Sequence, residues 1–209
     1  NVDASRNYLL GRGILAELAN QLVDEQILLF NRHNNVSYCT FAVYDKNKAL
    51  QCLDNHPIDS GEKFVLGKKQ VFSLDWPQLQ TCGTVHVCES IIDYLSIKTL
   101  EGTSTVGIAL LGNQLNGYDL SFLDKPQTLV SCFDNDAGGF SAYLDLQEKY
   151  PDKQLDIYEL SANHNDINER LLDEQHKRDA ARLSAQDKLS IYQAYVRGDN
   201  RSELAIQWG

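Results

Sequence analysis

The chain of 209 residues contains no methionine, not even at its first position, so Asn1 is not read as a natural start. Its five cysteines (Cys39, Cys52, Cys82, Cys88 and Cys132) include no C-x-x-C pair, which argues against a zinc knuckle. Their odd number also argues against a disulfide framework. Cys88 and Cys132 sit inside apolar runs and are expected to be small buried hydrophobes. No apolar run approaches the roughly 20 residues of a membrane span. The start, NVDASRNYLLGRG, lacks the basic-then-apolar layout of a signal peptide, so a cytoplasmic protein with no membrane partner is expected. A basic surplus is missing too. The net charge is -10, and residues 81–160 carry most of it, with 4 basic against 12 acidic groups. Broad binding of duplex through phosphates calls for a basic face. Any nucleic-acid contact must therefore work through metal ions and local Lys or Arg.

What is present is an ordinary globular composition, 43% hydrophobic and 23% charged, long enough for one large domain or two small ones. Residues 5–26 read as two short helices separated at Gly11 and Gly13. Two strands follow around the turn His33-Asn34-Asn35. A further strand is expected over Ala49–Leu53, with loop signals at Asn55, Pro57 and Gly61. KFVLGKKQVFSL (63–74) suggests a strand pair bent at Gly67-Lys68-Lys69, and Trp76-Pro77 begins a linker. From Thr84 the rhythm changes to strands at 84–88, 105–110, 128–133 and 155–160, with helices at 90–101 and 137–149. This alternation favours a parallel sheet with right-handed crossovers. Gly107 and Gly112 are expected to permit close backbone passage near the strand ends. Residues 163–199 are polar and helix-prone.

Two segments of the parallel part, TVHVCESIIDYLS and TLVSCFDNDAGGFSAYLDL, are apolar runs that end in acid and enter a helix directly. Glu89, Asp134 and Asp136 are thereby placed at the carboxyl edge of the sheet, where open α/β folds build their sites. Asp134 and Asp136, two apart in extended chain, point the same way, and three carboxylates form a hard oxygen pocket suited to magnesium. The competing readings are N-terminal helix charge for Glu89 and a helix cap for the D-x-D. Asp93 lies one turn beyond Glu89 on the same helix face. Asp166, after LDIYEL, reads first as a helix cap and second as another carboxylate at that edge. Lys68 and Lys69, with Arg12 and Lys63, are candidates for contact with a nucleic-acid backbone, against the alternative of solvated surface charge. His86 is expected to be packed.

The succession E-S-I-I-D-Y-L-S, F-D-N-D-A-G-G and H-N-D-I-N-E-R-L-L over about residues 83–172 resembles the Toprim domain of DnaG-type primases, topoisomerases and OLD-type nucleases. Y-L-L-G-R-G-I at 8–14 looks like the Y-L-x-x-R-G-I segment ahead of Toprim in primase-like proteins, including those of plasmids and integrative elements. The resemblance implies an α/β fold with a Rossmann-like Toprim domain (83–172), an α+β primase-like subdomain (1–82) before it, and a helical segment (173–209) after it. It also implies Glu89 as general acid or base, magnesium or manganese on Asp134 and Asp136, and accessory acids at Asp93 and Asp166. Arg12, Lys68 and Lys69 would face nucleic acid. Ser90 in place of Gly and Asn168 in place of an acid depart from the family pattern, and no zinc-binding module is visible. The implied function is primase-like nucleotidyl transfer on single-stranded DNA with nucleotides, in replication or transfer of a mobile element alongside replication or conjugation proteins. A nuclease using the same acids and a catalytically weak docking module are the alternatives. Tyr192 and Tyr195 read as packing residues, not as a topoisomerase nucleophile.

Overall fold

A computed structural model describes residues 1–181. The chain divides into two compact units, 1–172 and 173–209. The first opens with α1 (Val2–Gly11), whose N-terminus is capped by the Asn1 side chain accepting from the Asp3 amide at 2.8 Å, and α2 (Ala16–Asp24). In α2 the buried residues Leu18, Ala19 and Leu22 follow helical spacing, so one stripe faces the core. An antiparallel sheet follows in the order β1 (Leu28–His33), β2 (Val36–Tyr44), β3 (Leu50–Pro57) and β4 (Phe64–Gly67). The β1–β2 turn uses Asn34 and Asn35, both at positive φ (49° and 63°), as a two-residue hairpin loop requires.

Two expectations for this half are corrected. β3 does not stop at Leu53 but runs to Pro57. The loop-like Asn55 is satisfied inside the sheet, accepting from Thr40 Oγ1 at 2.8 Å and donating to the Leu53 carbonyl at 3.1 Å. Pro57 occupies the strand's last position, where a missing N–H is tolerated. Nor is 63–74 a hairpin. Its first part is β4, while Phe72 exchanges both backbone hydrogen bonds with Ala109 of the second sheet, at 2.9 and 2.8 Å. The segment crosses from one sheet to the other instead of folding back.

The second sheet is wholly parallel: β5 (Thr84–Cys88), β6 (Gly107–Ala109), β7 (Thr128–Cys132) and β8 (Gln154–Ile157), in the order β6-β5-β7-β8. β6 and β8 are shorter than the runs 105–110 and 155–160 suggested. α3 (Ile91–Glu101) connects β5 to β6, and α4 (Ala137–Lys149) connects β7 to β8. Side chains alternate across the sheet. Val85, Val87, Leu129 and Phe133 join one apolar cluster with Ala142 and Leu146 of α4. Cys88, Val130 and Cys132 join another with Ile91 and Leu95 of α3, and that cluster extends to Leu9, Leu22 and Phe41. Helices thus cover opposite faces of the parallel sheet, and a single core joins it to the N-terminal half. α5 (Ile167–Ala181) completes the described chain. In its part beyond 172, Lys177 pairs with Asp173 (2.7 Å) and Arg178 with Glu174 (3.5 Å). Tyr192 and Tyr195 lie outside the described residues. No described helix is long and apolar enough to cross a membrane.

Candidate active site

The chain leaves β5 toward one neighbour, β6, and returns to the other, β7. The carboxyl ends of β5 and β7 therefore flank the point where strand order reverses, the usual place for a crevice in such sheets. Cys88 and Cys132 are in register there, so Glu89 and Asp134 follow one and two residues beyond them. The Asp134 amide donates to Glu89 Oε1 at 3.1 Å. Gly139 is essential to this corner. A Cβ on it would stand 2.0 Å from the Asp134 carbonyl oxygen, so only glycine lets α4 start against that backbone.

The other acids differ in what already holds them. Asp136 is exposed and caps α4, its Oδ1 accepting from the Gly139 amide at 2.8 Å. The helix-cap reading is therefore realised at Asp136, and one carboxylate oxygen is engaged. Asp93 is buried, and its carboxylate accepts from the Ser90 hydroxyl while its own amide donates back to Ser90 Oγ at 3.2 Å. Ser90, the departure from Gly, is thus the N-cap of α3. The S-x-x-D spacing could have indicated this, being close to a capping box. Asp166 Oδ1 accepts from the Glu169 amide (2.7 Å) while Glu169 Oε2 accepts from the Asn165 amide (2.7 Å), so it caps α5 and also lines the cleft.

Glu89, Asp93, Asp134 and Asp166 line one cleft of about 470 Å³. Burial first, then the charges of Asp93, Glu89, Asp166 and Asp136, push Asp134 up to about 7. Burial first, then Asp166 and Glu89, push Asp93 up to about 7 against the Ser90 hydrogen bond and Lys63. Burial and Asp136 raise Glu89, opposed by the Asp134 amide and Lys63. Among the described residues no three His, Cys, Asp or Glu side chains are grouped so that they could hold a metal ion. The donor chemistry nevertheless fits a hard divalent cation. The cluster consists of carboxylate oxygens whose proton affinity is raised first by burial and then by one another's charge, and a cation would relieve both.

The opposite wall is basic and comes from the N-terminal half. Arg12, His56, Lys63 and Lys69 line the same cleft. Arg12 lies over the Tyr8 ring, 5.3 Å from its centroid. Its Nη1 donates to Asn168 Oδ1 at 3.3 Å, and Asn168 Nδ2 donates to the Arg12 carbonyl (2.8 Å) and Ser96 Oγ (3.0 Å). Asn168, the second departure, is therefore a buried two-way clamp. An aspartate there could not donate. Lys69 lies near Gly112, whereas Lys68 lines an adjoining groove with Asn113 and Tyr118 and does not line the cleft.

The structure thus gathers Arg12, Lys69, Glu89, Asp93, Asp134 and Asp166 on one cleft and leaves Lys68 and Asp136 beside it. His86 is packed as expected, with Nδ1 3.3 Å from the Val106 carbonyl. Two charged groups escaped the sequence reading. One is the Asp54–His56 pair, for which the only signal is a D-x-H spacing on one strand face. The other is Asp75, which accepts from Tyr94 Oη (2.8 Å), Lys98 Nζ (2.8 Å) and the Gly107 amide (3.0 Å) in the core.

Residues 86–171 match the family model described as Toprim-like. That match covers less than half of the chain, whose fold is similar to that of primase catalytic cores. Among solved structures, the primase fragment of the bacteriophage T7 primase-helicase protein is similar at 18% identity. There 84% of this chain and 73% of that one are covered, with a TM-score of 0.64. The DnaG catalytic core is similar at 16% identity, covering 82% and 69%, TM-score 0.57. A DNA primase domain from Pseudomonas aeruginosa gives 14%, 92%, 76% and 0.56 for the same quantities. At such identities the likeness shows the fold alone. No curated protein matches the sequence.

Proposed function

We propose that the protein is a primase-like nucleotidyltransferase that acts on single-stranded DNA with nucleotides and requires magnesium or manganese. The observation that carries this reading is the single cleft with carboxylates on the Toprim-like wall and cations on the wall from the antiparallel half. In this reading residues 1–82 are a primase-like subdomain, 83–172 the Toprim domain and 173–209 a separate segment. Arg12 and Lys69 bind phosphate oxygens and hold the strand or nucleotide against the acids, with Lys68 extending that contact into the neighbouring groove. Glu89, whose proton affinity is raised by burial and by Asp136, accepts or returns the proton of the attacking hydroxyl. Asp134 and Asp136, with Asp93 and Asp166 as accessory acids, would hold a divalent ion, which when bound would supply charge neutralisation of the phosphoryl group and alignment of its oxygens. Related primases are described bound to single-stranded DNA, or to an RNA/DNA hybrid and dTTP beside a DNA polymerase. By extension, replication or conjugation proteins of a mobile element are the partners proposed here.

The test is synthesis from a single-stranded template with NTPs and magnesium. New short RNA supports the reading, and loss of template strands supports a nuclease built on the same acids. A third reading, a docking module, is favoured by the open arrangement of the carboxylates. It prevails if neither product forms and Asp134→Ala leaves DNA binding intact.

A further inference from the structure

The charge that the foregoing chemistry leaves without a task is Asp54. Its side chain, in the interior of β3, is fully buried. Oδ2 lies 2.9 Å from His56 Nε2 and 3.6 Å from Lys63 Nζ, while Oδ1 is buried with no hydrogen-bond partner. Asp54 and His56, two apart on one strand, share a face. Asn55 pairs with Phe64 in the β3–β4 ladder, which brings Lys63 alongside. As a stabilising device this is poor: a buried ion pair is often no better than an apolar replacement, and an orphan oxygen adds a cost.

What the arrangement does accomplish is placement. A lysine ammonium is a point charge on a flexible stem, and here it is tethered while its side chain stays 38% exposed on the cleft wall. At 3.6 Å Asp54 holds it as an ion pair and not as a hydrogen-bond acceptor, so the ammonium's donors remain for a second anion. Across the cleft, the Lys63 charge acts on both Glu89 and Asp93, lowering their proton affinity. Burial pushes His56 down, and its hydrogen bond with Asp54 only partly opposes this, so His56 orients the carboxylate as a neutral donor. Burial likewise pushes Asp54 up, but His56 and Lys63 together outweigh it and keep Asp54 ionised.

We propose that Asp54 is a positioning residue that fixes the Lys63 ammonium as a phosphate-binding cation of the cleft, with His56 setting the orientation of its carboxylate. The inference rests on the phosphoryl-transfer reading, since the anion is taken to be a phosphate, either of a nucleotide or of a strand backbone.

The experiment titrates wild type, Asp54→Asn, Lys63→Gln and the double variant with ATP in saturating magnesium, with a labelled thymidine decanucleotide, and with Mn²⁺ alone. Each single variant is expected to weaken one phosphate ligand about tenfold. The double variant is expected to be no weaker than Lys63→Gln, because Asp54 acts through Lys63. Mn²⁺ affinity should be retained, or rise modestly where the Lys63 charge is removed from the carboxylates, whereas general loss of structure would lower it. Loss confined to ATP assigns the site to the nucleotide, and loss confined to the oligonucleotide assigns it to the strand. Wild-type affinity of Asp54→Asn for both ligands, or additive losses in the double variant, overturns the proposal. Should circular dichroism show Asp54→Asn unfolded, His56→Gln serves in its place, with a smaller loss in the same direction expected and no loss overturning it. If the wild type binds neither ligand, the phosphoryl-transfer reading falls and this inference with it. If it binds and the variants match it, only this inference falls.

Discussion

Asp134 is fixed from two sides: its amide is bonded to Glu89, and its carbonyl lies against Gly139. Gly139→Ala is therefore expected to cost about 1–3 kcal/mol through overpacking and to reduce primer synthesis by more than that loss of stability explains. Paired urea unfolding and activity measurements separate the two effects. If Glu89 acts as the proposed general acid or base, Glu89→Gln should lower synthesis about a hundredfold or more, the usual scale of that loss, with melting temperature nearly unchanged. The thiols offer an independent check on the core. Burial pushes Cys39 up to about 12 and also raises Cys88, so both remain neutral at pH 8 and unreactive. Cys82, only partly buried, should be alkylated first by iodoacetamide, with the buried Cys39, Cys88 and Cys132 reacting only on unfolding, as mass spectrometry would show. At this scale the acids were legible because strand ends and helix starts are written in local sequence. Asp54, His56 and the Asn168 clamp were not, because their partners are brought by tertiary pairing and no local pattern marks them.

Helices and strands show the same division. β5, β7, α3 and α4 were readable because apolar runs of strand length alternate with helical stretches across sharp acidic or glycine boundaries. β3 was misread at its end since Asn55 and Pro57 resemble loop residues until Thr40 is seen to satisfy Asn55. The Phe72–Ala109 bridge joins residues from different sheets, and no periodicity within 63–74 could foretell it. The crossing segment continues into Asp75, whose contacts with Tyr94, Lys98 and Gly107 tie the linker, α3 and β6 together. Lys98 also donates to the Thr103 and Thr105 carbonyls at 2.8 and 2.7 Å. Breaking a buried pair from one side leaves the other charge uncompensated. Lys98→Met is accordingly expected to destabilise by about 3–5 kcal/mol in denaturant unfolding, whereas Ser90→Ala should cost about 1 kcal/mol as a lost helix cap.

For the molecule as a whole, the concentration of acid around one cleft sets the response to pH and cations. Asp93 and Asp134 have folded-state values near 7, above the 3.8 of the free side chain. Between those values the native protein holds protons that the unfolded chain has released. Stability contributed by these groups is therefore greatest at low pH, declines as pH rises toward 7, and levels off above it. Thermal melting without divalent ions should show that decline superimposed on other titrations, and Asp134→Asn should reduce it. At pH 8, magnesium or manganese should raise the melting temperature of wild type more than that of Asp134→Asn, since binding to the native state alone stabilises it.

The hydrogen bond from Arg12 to Asn168 spans 156 positions of the chain. During synthesis, Arg12, the residue that follows α1, emerges early, but the residue that anchors it comes only after both sheets have been made. The N-terminal half can collapse beforehand, yet its cationic wall cannot be locked in place until α5 arrives. Closing so distant a contact is slow compared with local folding. A ribosome-stalled chain ending before residue 168 should therefore carry Glu89, Asp93 and Asp134 and still lack the anchor of Arg12, so the completed cleft would appear among the last events of the protein's making.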